Sequence, residues 1–140
     1  MTSDRMAKNL IDQARYRMTL VEKAFKDRQF ATAVRESQEA VELALKGALR
    51  AVGIEPPHWH DVGDVLRANG SRLGASVQAE LERVLAISKE LGEHRQPALY
   101  GDEDAGLGPD DLYGETQARK AVEDAKFVVD RVSRSFPPTQ

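Results

Sequence analysis

The chain has 140 residues, no cysteine and a formal net charge of −3 at neutral pH. This length suits one domain with its own core, and the lack of cysteine excludes disulfides, thiolate catalysis and cysteine-bound zinc. The small charge excludes a surface that is basic all over, as in many nucleic-acid-binding proteins. No run approaches the roughly 20 apolar residues of a membrane span, and residues 1–10 lack the apolar region of a secretory signal. We therefore expect a cytoplasmic protein without membrane contact.

Apolar residues at helical spacing predict two long helices in the first half of the chain. The first runs from about Asp4 to Lys26 and the second from about Phe30 to Val52. Their predicted inward residues are Ala7, Ile11, Ala14, Met18, Val21 and Phe25, followed by Ala33, Val34, Ala40, Val41, Ala44, Leu45, Ala48 and Leu49. The short connection between the helices predicts an antiparallel pair, and Gly53 ends the second helix ahead of two prolines.

The second half predicts one short helix and two further long ones. The short helix covers about Asp61–Ala68. A long helix follows from about Gly74 or Ala75 to Glu93, and Pro97 ends it because proline lacks an amide hydrogen. Residues 101–111, rich in glycine and acid, predict a mobile acidic loop. The last helix runs from about Leu112 to Ser135, ahead of a tail at residues 137–140.

These elements predict the fold class and the distribution of charge. No segment alternates with the two-residue period of a strand, so we expect an all-α single domain over residues 1–140. It is an up-and-down bundle of four long helices plus a short fifth helix. Residues 4–28 carry seven basic and four acidic side chains, whereas residues 93–115 carry seven acids and one base, Arg95. This asymmetry predicts a basic first helix and an acidic loop, although ordinary solvated helix faces account for the same charges.

The histidines at residues 58 and 60 raise the question of a metal site. They converge only on an extended segment, and beyond Glu55 nothing nearby supplies a dedicated fourth ligand. We therefore expect no metal and no cofactor. His60 is interpreted as a residue that ties its loop to the bundle, and Trp59 as one that covers the core.

One block of the second helix, with residues that follow it, resembles the HEPN domain family. The block is Ser37-Gln38-x-Ala40-Val41-Glu42-x-Ala44-Leu45-Lys46, followed by Gly53, Pro56-Pro57, His60, Leu66 and the pair Arg95 and Tyr100. The resemblance covers about residues 5–135. It implies a helical bundle that usually forms a homodimer and associates with nucleotides or RNA. It also implies a minimal nucleotidyltransferase as the partner protein, often in a toxin–antitoxin system.

Many members of the family are metal-independent ribonucleases, in which a histidine follows an arginine by four to six residues. In this chain the residue at that spacing from Arg95 is Tyr100. A tyrosine, with an ordinary pKa of about 10, is a poor general base at neutral pH. The resemblance therefore implies a module that binds rather than cuts. We expect Arg95 and Tyr100 to flank the break at Pro97 and to line one ligand-binding cleft.

Two alternatives stay open. In the first, the chain is a ribonuclease in which Arg95 acts with Tyr100 or His94 in place of the usual histidine. In the second, it is a helical interaction scaffold, and the first helix and the acidic loop only dock partner proteins.

Overall fold

A computed structural model of the chain describes residues 2–136, with side chains from residue 4 onward. Over that range the chain forms seven α-helices and no strand. In chain order they are α1 (Thr2–Lys26), α2 (Phe30–Ala51), α3 (Gly63–Ala68), α4 (Ala75–Gln78), α5 (Leu81–Tyr100), α6 (Pro109–Leu112) and α7 (Glu115–Ser135), with a 3₁₀ turn at Gly70–Arg72. The all-α bundle of four long helices, α1, α2, α5 and α7, is confirmed. The predicted tail at residues 137–140 lies outside the described residues.

Helix α2 lies at the centre of the bundle and packs against α1, α5 and α7. Its apolar residues explain this position, since Leu45 and Leu49 are fully buried and even the polar Ser37 is enclosed. The most extensive contact joins α2 to α1. Gly47 permits that close approach, because a Cβ atom there would lie 2.7 Å from Cγ1 of Ile11. The inward residues predicted for α1 and α2 are buried or pack against the buried core.

Helix α5 differs from the prediction at both ends. The predicted helix from residue 75 is divided near residues 79–80 into α4 and α5. The prediction that Pro97 ends the helix is wrong, because α5 continues to Tyr100. A proline this close to the end of a helix removes only one hydrogen bond, while Leu91 and Ala98 remain buried against the core and keep the last turns in place. The helix ends instead at Gly101, whose φ is +78°.

The acidic loop after α5 is closed by a short antiparallel bridge. The backbones of Asp102 and Leu107 exchange two hydrogen bonds of 2.8 and 3.0 Å. Gly101 precedes this bridge with φ +78° and ψ −156°, a conformation that is essentially restricted to glycine. A Cβ atom at Gly101 would also lie 2.2 Å from the carbonyl oxygen of Leu107. The mobility of this loop stays a prediction, and the last long helix begins at Glu115 rather than at Leu112 because α6 is a separate turn.

A polar cluster attaches the segment between α2 and α3 to the bundle. Nδ1 of His60 lies 3.0 and 3.1 Å from the two carboxylate oxygens of Glu42. Gln38 and Lys46 contact the same carboxylate at 2.9 and 3.2 Å. Burial of Glu42 opposes ionisation, but the hydrogen bonds from Gln38, His60 and Lys46 outweigh it and hold the pKa of Glu42 below its ordinary value. The predicted attachment through His60 is confirmed.

The interpretation of Trp59 as a cover for the core is wrong. Its side chain is 63% exposed. The buried positions of this segment are occupied by Pro56 and Val62, so the indole ring is left on the outer surface of the loop.

Replacing Gly101 with alanine tests the closure of the loop. We expect Gly101→Ala to lower the free energy of unfolding by about 2 kcal/mol or more, because a side chain there is strained and meets the Leu107 carbonyl. Urea titration followed by circular dichroism measures the change. Gly92→Ala is the matched control, because Gly92 lies within α5 with nothing within 4 Å of its added Cβ. The control should be neutral or slightly stabilising, and equal urea midpoints for the two variants would contradict the described loop.

The cluster around Glu42 predicts a pH dependence of stability. Because the folded-state pKa of Glu42 is lowered, its contribution is present above the ordinary pKa of 4.5 and is lost as pH falls through the folded-state value. We expect Glu42→Gln to reduce the free energy of unfolding by roughly 1–3 kcal/mol at pH 7. The difference from the original protein should shrink as the pH is lowered below about 4. Urea titrations across this range measure it, and Glu82→Gln, at an exposed ion pair with Arg67, should show little change at any pH.

Candidate functional site

The last turns of α5 position all three residues that the sequence singled out, His94, Arg95 and Tyr100. An α-helix turns about 100° per residue, so side chains five positions apart point about 140° away from each other. Arg95 and Tyr100 are five positions apart on a continuous helix. The helix therefore directs them to different sides of the bundle, and they do not line one cleft within a single chain.

Arg95 lines a surface cavity of about 680 Å³ between α5 and the loop that precedes α3. Lys89 and Gln96 of α5 lie on the same wall, and His60 and Asp61 form the opposite side. Neither Lys89 nor Arg95 has an ion-pair or hydrogen-bond partner among the side chains of residues 4–136, and Nε of Arg95 is buried without an acceptor. The cavity thus presents two cationic groups that form no ion pair with the described side chains.

The same cavity also holds acidic groups. Asp61 lies at its edge, where one carboxylate oxygen accepts a 2.9 Å hydrogen bond from the amide of Gly63 at the start of α3. Glu93 lies on the helical wall. The two cations and two carboxylates give a surface without excess charge. Such a surface can hold a phosphate on one side and accept hydrogen bonds from hydroxyl or amino groups on the other.

His94 faces a different cavity, also of about 680 Å³, on the far side of Pro97. Nδ1 of His94 lies 2.9 Å from the hydroxyl of Tyr113, and the two rings meet edge to face. Burial raises the pKa of Tyr113 above its ordinary value, so the phenol is neutral at physiological pH. The acidic side chains of residues 102–104 form the other wall. Pro97 lines both cavities, which therefore lie on neighbouring surfaces at the end of α5.

Tyr100 lines neither cavity and is 66% exposed. Two partly exposed apolar side chains, Leu99 and Leu107, belong to the same end of α5 and its loop. The three candidate residues thus reach three different surfaces: Arg95 the cavity beside His60, His94 the cavity beside Tyr113, and Tyr100 open solvent.

Sequence reasoning missed Lys89 and Tyr113. Helix periodicity gave no signal for Lys89, because it lies six residues before Arg95 and so about 120° from it around the helix. Tyr113 gave no signal, since its contact with His94 depends on how the acidic loop turns back.

Metal-binding groups and membrane-spanning helices are both absent from the described residues. Across residues 2–136 there is no group of three or more His, Asp and Glu side chains placed to hold a metal ion. Over the same residues no helix is long and apolar enough to cross a membrane.

Comparison with known proteins places the chain in a family. The model of the HEPN domain family matches residues 7–135. Among solved structures, the protein TT1696 from Thermus thermophilus is similar, with a TM-score of 0.74 and 24% sequence identity over 93% of this chain and 98% of TT1696. That likeness shows a shared fold. No curated protein sequence matches the chain. Because the family model spans the whole bundle from α1 to the end of α7, this chain belongs to the HEPN domain family.

Proposed function

We propose that this protein is a HEPN module that binds the phosphate groups of RNA or of a nucleotide through Lys89 and Arg95, without cutting its ligand. The observation that supports the proposal is the pair of unpartnered cations on one cavity wall. Many other cations of the bundle are paired, as in the contacts of Arg17 with Glu36 and of Lys120 with Glu90. An arginine that lines a cavity and has no ion-pair partner in the described chain is suited to an anionic ligand.

The placement of His94 supports binding rather than cleavage. A general base acts within hydrogen-bond reach of the group from which it takes a proton. His94 lies in the cavity on the other side of Pro97, and its Nδ1 is occupied by Tyr113. In the cavity of Arg95, the imidazole of His60 is engaged by Glu42. His94 is therefore not placed beside the proposed phosphate position, whereas His60, held by Glu42 through Nδ1, keeps Nε2 available in that cavity.

The proposal includes two protein partners, a second copy of the chain and a minimal nucleotidyltransferase. The exposed phenol of Tyr100 is available to such an enzyme as an acceptor. In that reaction the phenolic oxygen bonds to the α-phosphorus of a nucleoside triphosphate, pyrophosphate leaves and the phenolic proton passes to solvent. Tyr100 would then be a contact and modification residue, while Arg95 binds phosphate.

A second candidate function is cleavage of RNA by Arg95 with His94 or Tyr100. One observation favours it: the two cavities share Pro97 as a lining residue, so Arg95 and His94 lie on neighbouring surfaces at the end of α5. This candidate differs from the first in one measurable respect, which is whether the RNA remains intact.

Binding of a labelled single-stranded RNA and of inorganic polyphosphate tests the proposed function. We expect Arg95→Ala to weaken both by about 10-fold or more, because a charged hydrogen bond to phosphate is lost. Lys26→Ala is the matched control, since it removes an equal charge from an exposed end of α1 and should alter binding by less than about twofold. Fluorescence anisotropy in a chelating buffer at several salt concentrations measures these affinities, which should fall as salt rises.

Two outcomes of this experiment contradict the proposal. If neither probe binds the original protein, the chain is a scaffold and Arg95 is structural. If the RNA recovered from the samples is cut, and Arg95→Ala abolishes the cutting, the ribonuclease function replaces the proposed one.

Intact mass tests the role of Tyr100. After incubation with a cognate nucleotidyltransferase and a nucleoside triphosphate, we expect the mass to rise by whole nucleoside monophosphates, because the exposed phenol accepts them. Tyr100→Phe should stay unmodified, whereas Tyr16→Phe, which alters a phenol of equal 66% exposure on α1, should be modified like the original protein. Modification that persists in Tyr100→Phe would remove this part of the proposal.

A further inference from the structure

Trp59 is a large aromatic side chain that the fold leaves in solvent. It is 63% exposed, although smaller apolar residues of the same segment, Pro56 and Val62, are buried. Exposing an indole ring forgoes the hydrophobic stabilisation that its burial would bring. A single exposed ring is common on protein surfaces, so its meaning depends on what lies beside it.

The exposure of Trp59 does not come from a loose loop, because the segment is attached on both sides of the ring. Before it, the amide of Ile54 donates a 3.0 Å hydrogen bond to the carbonyl of Leu49, and Pro56 is buried. After it, His60 contacts Glu42 on α2, and Asp61 accepts from an amide at the start of α3. The backbone that presents the ring is therefore held in position before any ligand arrives, which lowers the entropic cost of binding.

The ring also adjoins the cavity of the proposed function. His60 and Asp61, which follow Trp59 directly, form the wall that faces Lys89 and Arg95. Trp59 does not itself line the cavity, but consecutive Cα atoms are about 3.8 Å apart, so its backbone lies directly beside this wall and its exposed ring is within reach of a strand that extends out of the cavity. Cationic groups beside an exposed aromatic ring are the combination that single-stranded nucleic acids require, because the cations hold the phosphates while an unpaired base stacks on the ring.

We propose that Trp59 is a base-stacking residue, and that the site therefore takes unpaired nucleotides in preference to duplex or to bare polyphosphate. This inference rests on the proposed function, since Lys89 and Arg95 supply the phosphate contact. Stacking on Trp59 adds to that phosphate contact a preference for ligands that carry an unpaired base. Bases within a duplex are stacked on one another and cannot cover an outside ring, and polyphosphate has no base to offer.

The intrinsic fluorescence of the full-length protein reports on this site alone, because Trp59 is the only tryptophan in the chain. A short single-stranded oligoadenylate should quench the emission on binding, whereas duplex RNA and inorganic polyphosphate should leave it nearly unchanged. Trp59→Ala should bind the single strand about 5- to 100-fold more weakly, the effect expected for loss of one stacked base. It should bind polyphosphate as the original protein does. Trp59→Phe, which keeps a ring, should retain most of the affinity for the single strand.

The variants separate failure of this inference from failure of the proposed function. Suppose the single strand binds in a manner that depends on Arg95, but emission does not change and Trp59→Ala binds equally well. The stacking site is then wrong, and the phosphate site stands. If neither the single strand nor polyphosphate binds, the phosphate site fails and the stacking site fails with it. A blue shift of emission on concentrating the protein without RNA would assign the ring to a contact between protein molecules and overturn the proposal.

Discussion

The enclosure of α2 by α1, α5 and α7 is the constraint that determines where functional groups can lie. Leu45 and Leu49 are removed from solvent, and Gly47 brings α1 close enough that a methyl group would collide with Ile11. A helix surrounded in this way presents little surface to a ligand. Its contribution to the candidate site is indirect, through Glu42, which fixes His60 and with it one wall of the cavity. The groups that meet a ligand come from the outer face of α5 and from the attached loop.

The end of α5 distributes chemically different groups over three surfaces rather than gathering them in one. Arg95 lies with Lys89, His94 lies with Tyr113, and Tyr100 is free in solvent. A ligand that touches more than one surface must cross Pro97, and a protein that binds Tyr100 need not compete with a phosphate at Arg95. This separation supports a module in which ligand binding and partner contact occur side by side, since neither requires the other to leave.

The bundle was predictable from sequence because the apolar residues of its long helices repeat at three- and four-residue steps, and burial enforces that period. The helix termini were less predictable. Proline commonly ends a helix, so Pro97 was a reasonable predicted terminus for α5. The helix nevertheless continues to Tyr100, because Ala98 is buried against the core and holds the last turn in place. Once the helix continues, the divergence of Arg95 and Tyr100 follows from helical geometry. Arg95 was identified through family resemblance, whereas the contact of His94 with Tyr113 depends on a loop path that no local pattern encodes.

The closure of the loop at Gly101 also joins the last helical turn of α5 to the irregular loop at residues 102–107. Pro97 has no backbone N–H, so the final part of α5 lacks one helical hydrogen bond. This turn is held instead by the buried Ala98 and by the pairing of Asp102 with Leu107. Because the two parts join at Gly101 and support each other, we infer that they form one small cooperative unit. Amide protons on both sides of Gly101 should consequently exchange with deuterium at a common rate, faster than those of α2 and independent of global unfolding.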